Sequence, residues 1–279
     1  MRFESILQCV ECKKNLNKIK DGYVCVNKHK FLGGIPDFIV DKKGLKDEFN
    51  AQENAVGNYE GIQTNKAVTM SWRNWKKKLI VDKKGLVLDN GCGTGKLISV
   101  IPEGNIIVGS DVSLDMLKEA KKRLKYLVRA QAEKLPFKDE IFDVVYTDSV
   151  LHHLKNPEEG IKEIFRVLKD DGIAVVSETH AALINRKLRR NAYKDTKRFG
   201  PWHKNFERKE LLSIVKKYFE VYSMENVSYL GYMYEGTNRM KKCDKYIMAG
   251  FLGIDKIISK IPFVKNQSWH IILKMRKNE

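Results

Sequence analysis

Short apolar segments alternate with helical segments across the middle of this chain, and this alternation restricts the fold more than any other feature. Apolar segments of strand length occur at 86–89, 106–110, 127–130, 143–147 and 173–177. Helical signals lie between them, and Asn156 followed by Pro157 is typical of the first residues of a helix. Strands that alternate with helices form a mostly parallel sheet covered on both faces. With two later strands expected near 219–227 and 269–275, the sequence predicts an α/β fold with a seven-stranded, doubly wound sheet.

Three regions divide the chain of 279 residues. Residues 1–41 bear cysteines and turn residues, 42–84 form a predicted helical connector, and 85–279 hold the alternating segments. Within the last region, a predicted insertion at 231–267 has apolar residues at roughly helical spacing, with lysines nearby. This insertion is either an amphipathic helix packed on the sheet or a substrate lid or membrane-surface helix. Apolar runs are shorter than the roughly 18 residues of a transmembrane segment, so none is predicted.

The formal net charge of +17 is unevenly distributed along the chain. Residues 86–180 carry 13 basic and 16 acidic side chains, whereas residues 181–279 carry 22 basic and 9 acidic ones. Seven of the basic residues fall within 185–198, directly after the fifth predicted strand. A partner with phosphate or carboxylate groups is therefore expected. The alternative is a general enrichment in lysine on exposed faces.

A glycine-rich turn, VLDNGCGTG at 87–95, joins the first predicted strand to the segment that follows it. In an open α/β sheet a nucleoside ligand binds outside the carboxyl ends of the strands, where this turn lies. The glycines allow a tight turn and let the backbone approach the ligand closely. Asp111 lies 20 residues after Gly91, at the end of the second strand, where its carboxylate can accept hydrogen bonds from both ribose hydroxyls.

Two nucleoside cofactors compete for this loop, a nicotinamide dinucleotide and S-adenosylmethionine (SAM). The dinucleotide spacing G-x-G-x-x-G requires a glycine at position 96, where this chain has Lys96. Asp89, just before the loop, would repel a pyrophosphate but attract the ammonium and sulfonium groups of SAM. We therefore predict SAM as the cofactor.

The run from Val87 to Glu178 resembles class I SAM-dependent methyltransferases of the type found in ubiquinone and menaquinone biosynthesis. The resemblance is carried by VLDNGCGTG at 87–95, GSDVSLDML at 109–117, AEKLPFKDEIFDVV at 132–145, VLHHL at 150–154 and IFRVLKDDG at 164–172. These pieces occur in the order and spacing of the family and cover about a third of the chain. They imply a Rossmann-like fold and methyl transfer from SAM, and they specify the acceptor poorly.

By this resemblance, the cofactor-binding residues come from several segments of the chain. Asp89 and the glycine loop line the methionine and ribose, Asp111 binds the ribose hydroxyls, and residues 131–133 face the adenine. The predicted set is Asp89, Gly91, Cys92, Gly93, Gly95, Asp111, Val112, Gln131, Ala132, Glu133 and Asp148. Many relatives have an aspartate where this chain has Gln131, whose amide oxygen can still accept from the adenine amine.

The segment 148–154, after the fourth predicted strand, lies where cofactor and acceptor meet. Methyl transfer is an in-line displacement, so catalysis depends largely on alignment and exclusion of water. An acceptor hydroxyl or acidic carbon also needs a base, and histidine suits this near neutral pH. His152 and His153 are therefore the candidate catalytic residues, unless one caps the loop and the other packs below the pocket. His180 and His203 are further polar candidates.

Three of the five cysteines lie within the first 25 residues. Cys9-x2-Cys12 is followed, after 12 residues, by Cys25-x3-His29. Close pairs separated by a short hairpin are typical of structural zinc sites, in which four ligands close the coordination sphere. The pattern resembles the N-terminal zinc ribbon of bacterial rRNA guanine-N1 methyltransferases. We predict a small structural zinc ribbon at 1–41; the alternative is three incidental thiols and a surface histidine.

The acceptor is the least constrained part of the prediction. VLHHL and the insertion favour a small-molecule, lipid or glycan acceptor, and the basic residues after 180 favour an anionic one. An RNA methyltransferase that uses the ribbon and the basic flanks to contact phosphates is the alternative. A SAM-binding protein without catalysis is a second. The interrupted, polar N-terminus predicts a cytoplasmic protein, and the insertion adds the option of a peripheral membrane contact.

Overall fold

The helices and strands alternate through the middle of the chain as the sequence predicts. The computed structural model describes residues 2–45, 66–180, 201–227, 245–262 and 264–278. In chain order, its main elements are β1 (Leu16–Ile19), β2 (Gly22–Cys25), β3 (Lys30–Leu32), α1 (Lys66–Lys76), β4 (Leu86–Asn90), β5 (Ile106–Asp111), α2 (Leu114–Ala120), β6 (Tyr126–Arg129), β7 (Phe142–Asp148), α3 (Pro157–Val167), β8 (Leu168–Thr179), α4 (Arg208–Val215), β9 (Phe219–Val227), α5 (Lys245–Ile258) and β10 (His270–Lys277).

Seven of these strands form one mixed sheet in the order β6-β5-β4-β7-β8-β10-β9. The first five strands of this order are parallel, and β10 is antiparallel to both β8 and β9. Successive residues of β4 enter the cores on opposite faces, since Val87 packs with α1 residues whereas Leu88 packs with α3 residues. The predicted seven-stranded, Rossmann-like α/β sheet is therefore confirmed.

Two elements differ from the sequence prediction in their length or in the residue at which they begin. The segment after the glycine loop forms only a short 3-10 helix, Lys96–Ser99, because Pro102 follows within one turn and disfavours helical backbone before it. β8 starts at Leu168, five residues earlier than the predicted 173–177 segment. Its pairing with β7 shifts between Phe142 and Val144, and this irregularity accommodates the extra residues.

Parts of the predicted connector and insertion are helical. Residues 66–76 form α1, and residues 245–258 form α5, which packs against α1. Within α5, Met248 is buried whereas Tyr246, Ile254 and Ile257 are exposed, so the helix has both a packed and an exposed apolar face. The rest of the connector (46–65), the basic 185–198 segment and the first part of the insertion lie outside the described residues. Among the described helices, none has the length and apolar character needed to cross a membrane.

The N-terminal residues form a three-stranded antiparallel sheet that packs against the edge of the main sheet. The Gln8 side chain donates to the Phe137 carbonyl at 2.8 Å, in the loop between β6 and β7. Residues 36–38 run parallel to β6, with N–H···O bonds of 2.8 Å from Arg129 to Pro36 and from Phe38 to Arg129. The exposed edge of β6 is thereby covered along these residues.

The loop between β6 and β7 is held in place by Arg166 of α3. Its guanidinium donates to the carbonyls of Leu135 and Phe137 at 3.1 and 2.7 Å. It also pairs with the carboxylates of Glu163 at 2.7 Å and Asp139 at 2.6 Å. One cation therefore fixes both the loop that carries residues 131–133 and the surface on which the N-terminal sheet packs.

We expect Arg166→Met to lower the free energy of unfolding by about 2–4 kcal/mol, because it leaves partly buried carbonyls and carboxylates without their donor. Lys162→Met is the matched control on the same helix, since Lys162 pairs with Glu159 at the surface. Its effect should stay within about 0.5 kcal/mol. Chemical denaturation of both variants measures the difference, and equal losses would contradict the role of Arg166.

Candidate functional site

The carboxyl ends of β4, β5 and β7 lie side by side, because β4 is paired in parallel with both neighbours. Each end carries an aspartate: Asp89 on β4, Asp111 on β5 and Asp148 on β7. In an open α/β sheet, ligands bind in the crevice outside this edge, where the strand order reverses about the first strand. The edge is therefore the candidate site.

The glycine loop closes over this edge with left-handed backbone. Gly91, Gly93 and Gly95 have φ values of 76°, 51° and 75°, which side-chain-bearing residues rarely adopt. A Cβ on Gly91 would come 2.2 Å from Cγ2 of Val150, whereas a Cβ on Gly93 would meet nothing within 4 Å. Gly91 is thus required by packing, and Gly93 leaves open space beside the loop for a ligand.

Asp111 fixes the loop through backbone hydrogen bonds. Its two carboxylate oxygens accept from the N–H groups of Gly93 and Ser113, each at 2.8 Å. Burial raises the pKa of Asp111, and these backbone donors oppose the rise. Each oxygen retains a further lone pair, which suits the acceptance of hydrogen bonds from a pair of ribose hydroxyls.

Asp89 is buried without full hydrogen bonding. Its side chain is 3% exposed, and among the described residues its Oδ2 atom has no hydrogen-bond partner. Burial raises its pKa to about 7; Lys76 opposes the rise, whereas Asp148 and Asp111 add to it. Buried carboxylate oxygens without donors are rare in folded proteins. A cationic ligand group beside Asp89 would supply the missing partner.

Lys76 is a residue of this site that sequence reasoning missed. Its ammonium lies 3.6 Å from Oδ2 of Asp148, and both side chains are largely buried. Burial raises the pKa of Asp148, and Lys76 lowers it. The helical spacing gave a signal: Lys76 lies four residues after Trp72 and contacts its ring at 5.6 Å, so it shares the packed face of α1.

The remaining predicted cofactor residues lie around the same edge, although their contacts differ. Ala132 is buried and Gln131 half-buried, as expected for a segment that lines a pocket. Burial raises the pKa of Glu133. Hydrogen bonds from backbone N–H groups, including those of Asn156 and Lys155, oppose this rise. Glu133 therefore serves the start of α3, where the Asn156 side chain makes no capping bond.

Two further predicted residues are tied to the scaffold. The Val112 carbonyl accepts from Nε of Arg129 at 2.9 Å, and Arg129 in turn pairs with Asp37 at 3.3 Å. The Cys92 thiol is buried beside Asp89 and Asp111, and its burial raises its pKa well above the usual range. Cys92 is therefore a neutral, apolar part of the loop.

Glu178, at the end of β8, holds the turn that carries the candidate catalytic histidines. Its fully buried carboxylate lies 2.6 Å from Nδ1 of His152. It also accepts from the N–H groups of Val150 and Leu151, at 2.9 and 2.6 Å. Glu178 was not among the residues predicted for the site. An acid soon after the apolar run at 173–176 was the available signal, since a buried carboxylate needs donors.

Three histidine rings meet beside this turn. The ring centroids of His152, His153 and His203 are 4.3, 4.7 and 4.8 Å apart, and Nδ1 of His203 lies 3.4 Å from Nδ1 of His153. The structure thus brings His203 to both predicted catalytic residues. His180 lies elsewhere, with Nε2 3.2 Å from Oγ of Ser268, and is not part of this cluster.

The three N-terminal cysteines and His29 also form one cluster. Their ligand atoms all lie within 4.8 Å of one another, with 3.7 Å between the sulfurs of Cys12 and Cys25. Tetrahedral zinc with Zn–S bonds of about 2.3 Å separates its sulfurs by about 3.8 Å. The Cys9–Cys12 pair and the Cys25–His29 pair each belong to a tight turn with one left-handed residue, Lys13 in the first and Lys28 in the second. The four residues therefore fit a tetrahedral zinc ion whose coordination sphere they would fill.

Residues 88–176 match the model of the Methyltransferase domain family. A putative methyltransferase of Encephalitozoon cuniculi is 33% identical over 151 residues, which cover 52% of this chain and 67% of that protein. A demethylmenaquinone methyltransferase of Lactobacillus johnsonii is 33% identical over 135 residues, which cover 42% of this chain and 55% of that protein. The chain spans about half the length of several of the curated relatives that it matches.

The fold is also similar to that of a solved methyltransferase structure. A SAM-dependent methyltransferase of Thermotoga maritima superposes with a TM-score of 0.61 at 20% identity, over 82% of this chain and 100% of that one. The matching domain family, the relatives and the fold all agree with the acids and glycines found at the carboxyl ends of the strands. The chain belongs to the family of SAM-dependent methyltransferases.

Proposed function

We propose that this protein transfers the methyl group of SAM to a small-molecule, lipid or glycan acceptor at the carboxyl edge of β4, β5 and β7. Asp89 carries this proposal, because a buried carboxylate oxygen without a donor among the described residues lies where the family binds its cofactor. SAM supplies a methyl group on a positively charged sulfur and a cationic ammonium group. A negative, desolvated edge favours such a ligand.

The cofactor would be held from three sides. Asp111 would accept from the ribose hydroxyls while its backbone bonds keep the carboxylate in place. The glycine loop, with Gly93 open to the site, would cover the methionine and ribose. Gln131 and Ala132 would face the adenine, with Val112 beside them. Asp89 and Asp148 would attract the positive groups, and Lys76 limits the excess negative charge.

The acceptor side is assigned to the histidine turn. Val150 lies against Gly91, so the turn that carries His152 and His153 begins at the cofactor loop. We propose that these histidines and His203 activate the acceptor by withdrawing its proton or binding its polar group. The demethylmenaquinone relative supports a small organic acceptor. The excess of basic residues after 180 supports an anionic one.

The exposed apolar side chains of α5 support an acceptor with an apolar part, or one presented at a membrane surface. Tyr246 and Ile257 are 71% and 66% exposed, on a helix that packs against α1, which carries Lys76 into the site. Lys256 lies beside Ile257 and suits an anionic surface.

We expect SAM affinity to fall by about tenfold from pH 8 to pH 6. Asp89, with a pKa of about 7 in the free protein, loses its negative charge over this range, and each pKa unit corresponds to tenfold in binding. Asp89→Asn should bind SAM more weakly and with a nearly flat profile. Calorimetry at several pH values measures both. Asp115→Asn, an exposed acid paired with Lys118, is the matched control and should retain the wild-type profile.

A substitution at Asp111 tests the assignment of the cofactor site independently of Asp89. Asp111→Ala should weaken SAM by at least about tenfold at every pH, because charge-assisted hydrogen bonds contribute about 1.5–3 kcal/mol. Unchanged affinity in both the Asp89 and Asp111 variants would exclude this edge as the cofactor site.

We also propose that Cys9, Cys12, Cys25 and His29 hold a structural zinc ion that stabilises residues 1–41. Cys9→Ser should lose one zinc ion per chain by elemental analysis and lower the melting temperature, because the knuckles belong to the core that packs on the β6–β7 loop. Cys92→Ser, a cysteine outside this cluster, is the control and should retain the zinc. Equal zinc content in the two variants would exclude a zinc ribbon.

The acceptor class is tested by incubating the protein with methyl-labelled SAM and a fractionated cell extract. We expect label in the small-solute, lipid or glycan fraction. Label in RNA would support the RNA methyltransferase instead, and unlabelled fractions with intact SAM binding would support a protein that binds SAM without catalysis. His153→Ala should lower the transfer rate by about 100-fold while SAM affinity is unchanged. Lys155→Ala, at an exposed residue directly after the histidine turn, should match the wild type.

A further inference from the structure

We infer that His152, His153 and His203 form a second metal site, which takes a divalent transition-metal ion such as Zn²⁺ at the acceptor side of the cofactor edge. One ligand nitrogen from each ring lies within 4.8 Å of the others. The facing Nδ1 atoms of His153 and His203 are 3.4 Å apart. A tetrahedral ion with Zn–N bonds of about 2.0–2.1 Å separates its nitrogens by about 3.4 Å. The observed spacing therefore matches two imidazoles that share an ion.

His152 is oriented for the same purpose by Glu178. The carboxylate lies 2.6 Å from Nδ1, so a hydrogen on Nδ1 is donated to Glu178 and the lone pair is on Nε2. Ligating histidines commonly donate their second ring nitrogen to a carboxylate, which fixes the tautomer and makes the ligand more basic. Two backbone donors, Val150 and Leu151, hold the carboxylate itself. His152 is thus held in the form that binds metal.

The segment that carries His203 is fixed as well. The N–H of Lys204 donates to the His152 carbonyl at 3.0 Å. Phe206, fully buried, pairs in parallel with His180 at the end of β8. The three rings are therefore brought together by backbone contacts between distant segments, and such a supported geometry is what a metal site requires.

The contact between the His153 and His203 rings has the length of an N–H···N hydrogen bond, in which one ring donates and the other accepts. A divalent ion would take the place of the shared hydrogen and bind both nitrogens. Imidazole nitrogens suit zinc, iron, nickel and copper ions.

The ligand number distinguishes this site from the N-terminal cluster. Four protein ligands close the Cys9–His29 site, whereas three histidines leave a coordination position open, which is typical of catalytic zinc. That position would take water or an oxygen atom of the acceptor, which the ion would polarise. With the ion bound, the three rings are its ligands and no longer the base that withdraws the acceptor's proton. This role of the ion rests on the proposed methyl transfer, whereas metal binding by the three rings does not.

The test is a titration of metal-free, full-length protein with Co²⁺, which reports its ligands by its spectrum. We expect two ions per chain, one with thiolate charge-transfer bands and one with only the weaker d–d bands of nitrogen and oxygen ligands. His203→Ala and His153→Ala should each lose the second ion and keep the thiolate bands. Cys9→Ser should do the reverse, and Lys155→Ala should bind both ions. Glu178→Gln should weaken the second ion by about 10–100-fold.

A single ion with thiolate bands, or a second ion that both histidine variants retain, would overturn the inference. Circular dichroism and SAM affinity of each variant establish that it is folded. The outcome is separable from the proposed function: absence of methyl transfer to every acceptor would contradict that function while the cobalt spectra still decide the metal site. If methyl transfer stays complete after the second ion is lost, the three histidines still bind a metal ion, but that ion does not act on the acceptor.

Discussion

The parallel pairing of β4 with β5 and β7 is the constraint on which the rest of this structure depends. It sets Asp89, Asp111 and Asp148 at one edge, where the loops that follow these three strands also begin. Because the strand ends are adjacent, side chains from distant parts of the sequence share one small volume of low dielectric. The register leaves little freedom, since a slip of one residue would turn each side chain to the other face.

This arrangement concentrates negative charge that the protein only partly neutralises. Burial raises the pKa of all three aspartates, and Lys76 is the cation that lowers it for Asp89 and Asp148. Burial of carboxylates lowers stability unless hydrogen bonds or cations compensate. Under the proposed function, the positive groups of SAM would supply that compensation, so the same acids that destabilise the free protein would favour the complex.

The N-terminal sheet adds a link between the predicted zinc cluster and the carboxyl edge that carries Asp111. Residues 36–38 pair with β6, and Asp37 holds Arg129, whose Nε donates to the Val112 carbonyl next to Asp111. The position of Asp111 is thus connected, through three contacts, to the segment that the cysteines would stabilise. The N-terminal sheet and the main sheet share one hydrophobic core, so the packing is continuous across the predicted boundary at residue 41.

The sequence alone determined the strand–helix alternation, the glycine loop, Asp89 and Asp111, and the two cysteine knuckles, because these depend on spacing between neighbours along the chain. Only the tertiary structure decided which distant groups meet. Lys76 reaches Asp148, Glu178 anchors His152, and His203 joins the histidine turn across 50 residues. No local period encodes such pairs. They follow from the order of strands in the sheet and from the need of each buried polar group for a partner.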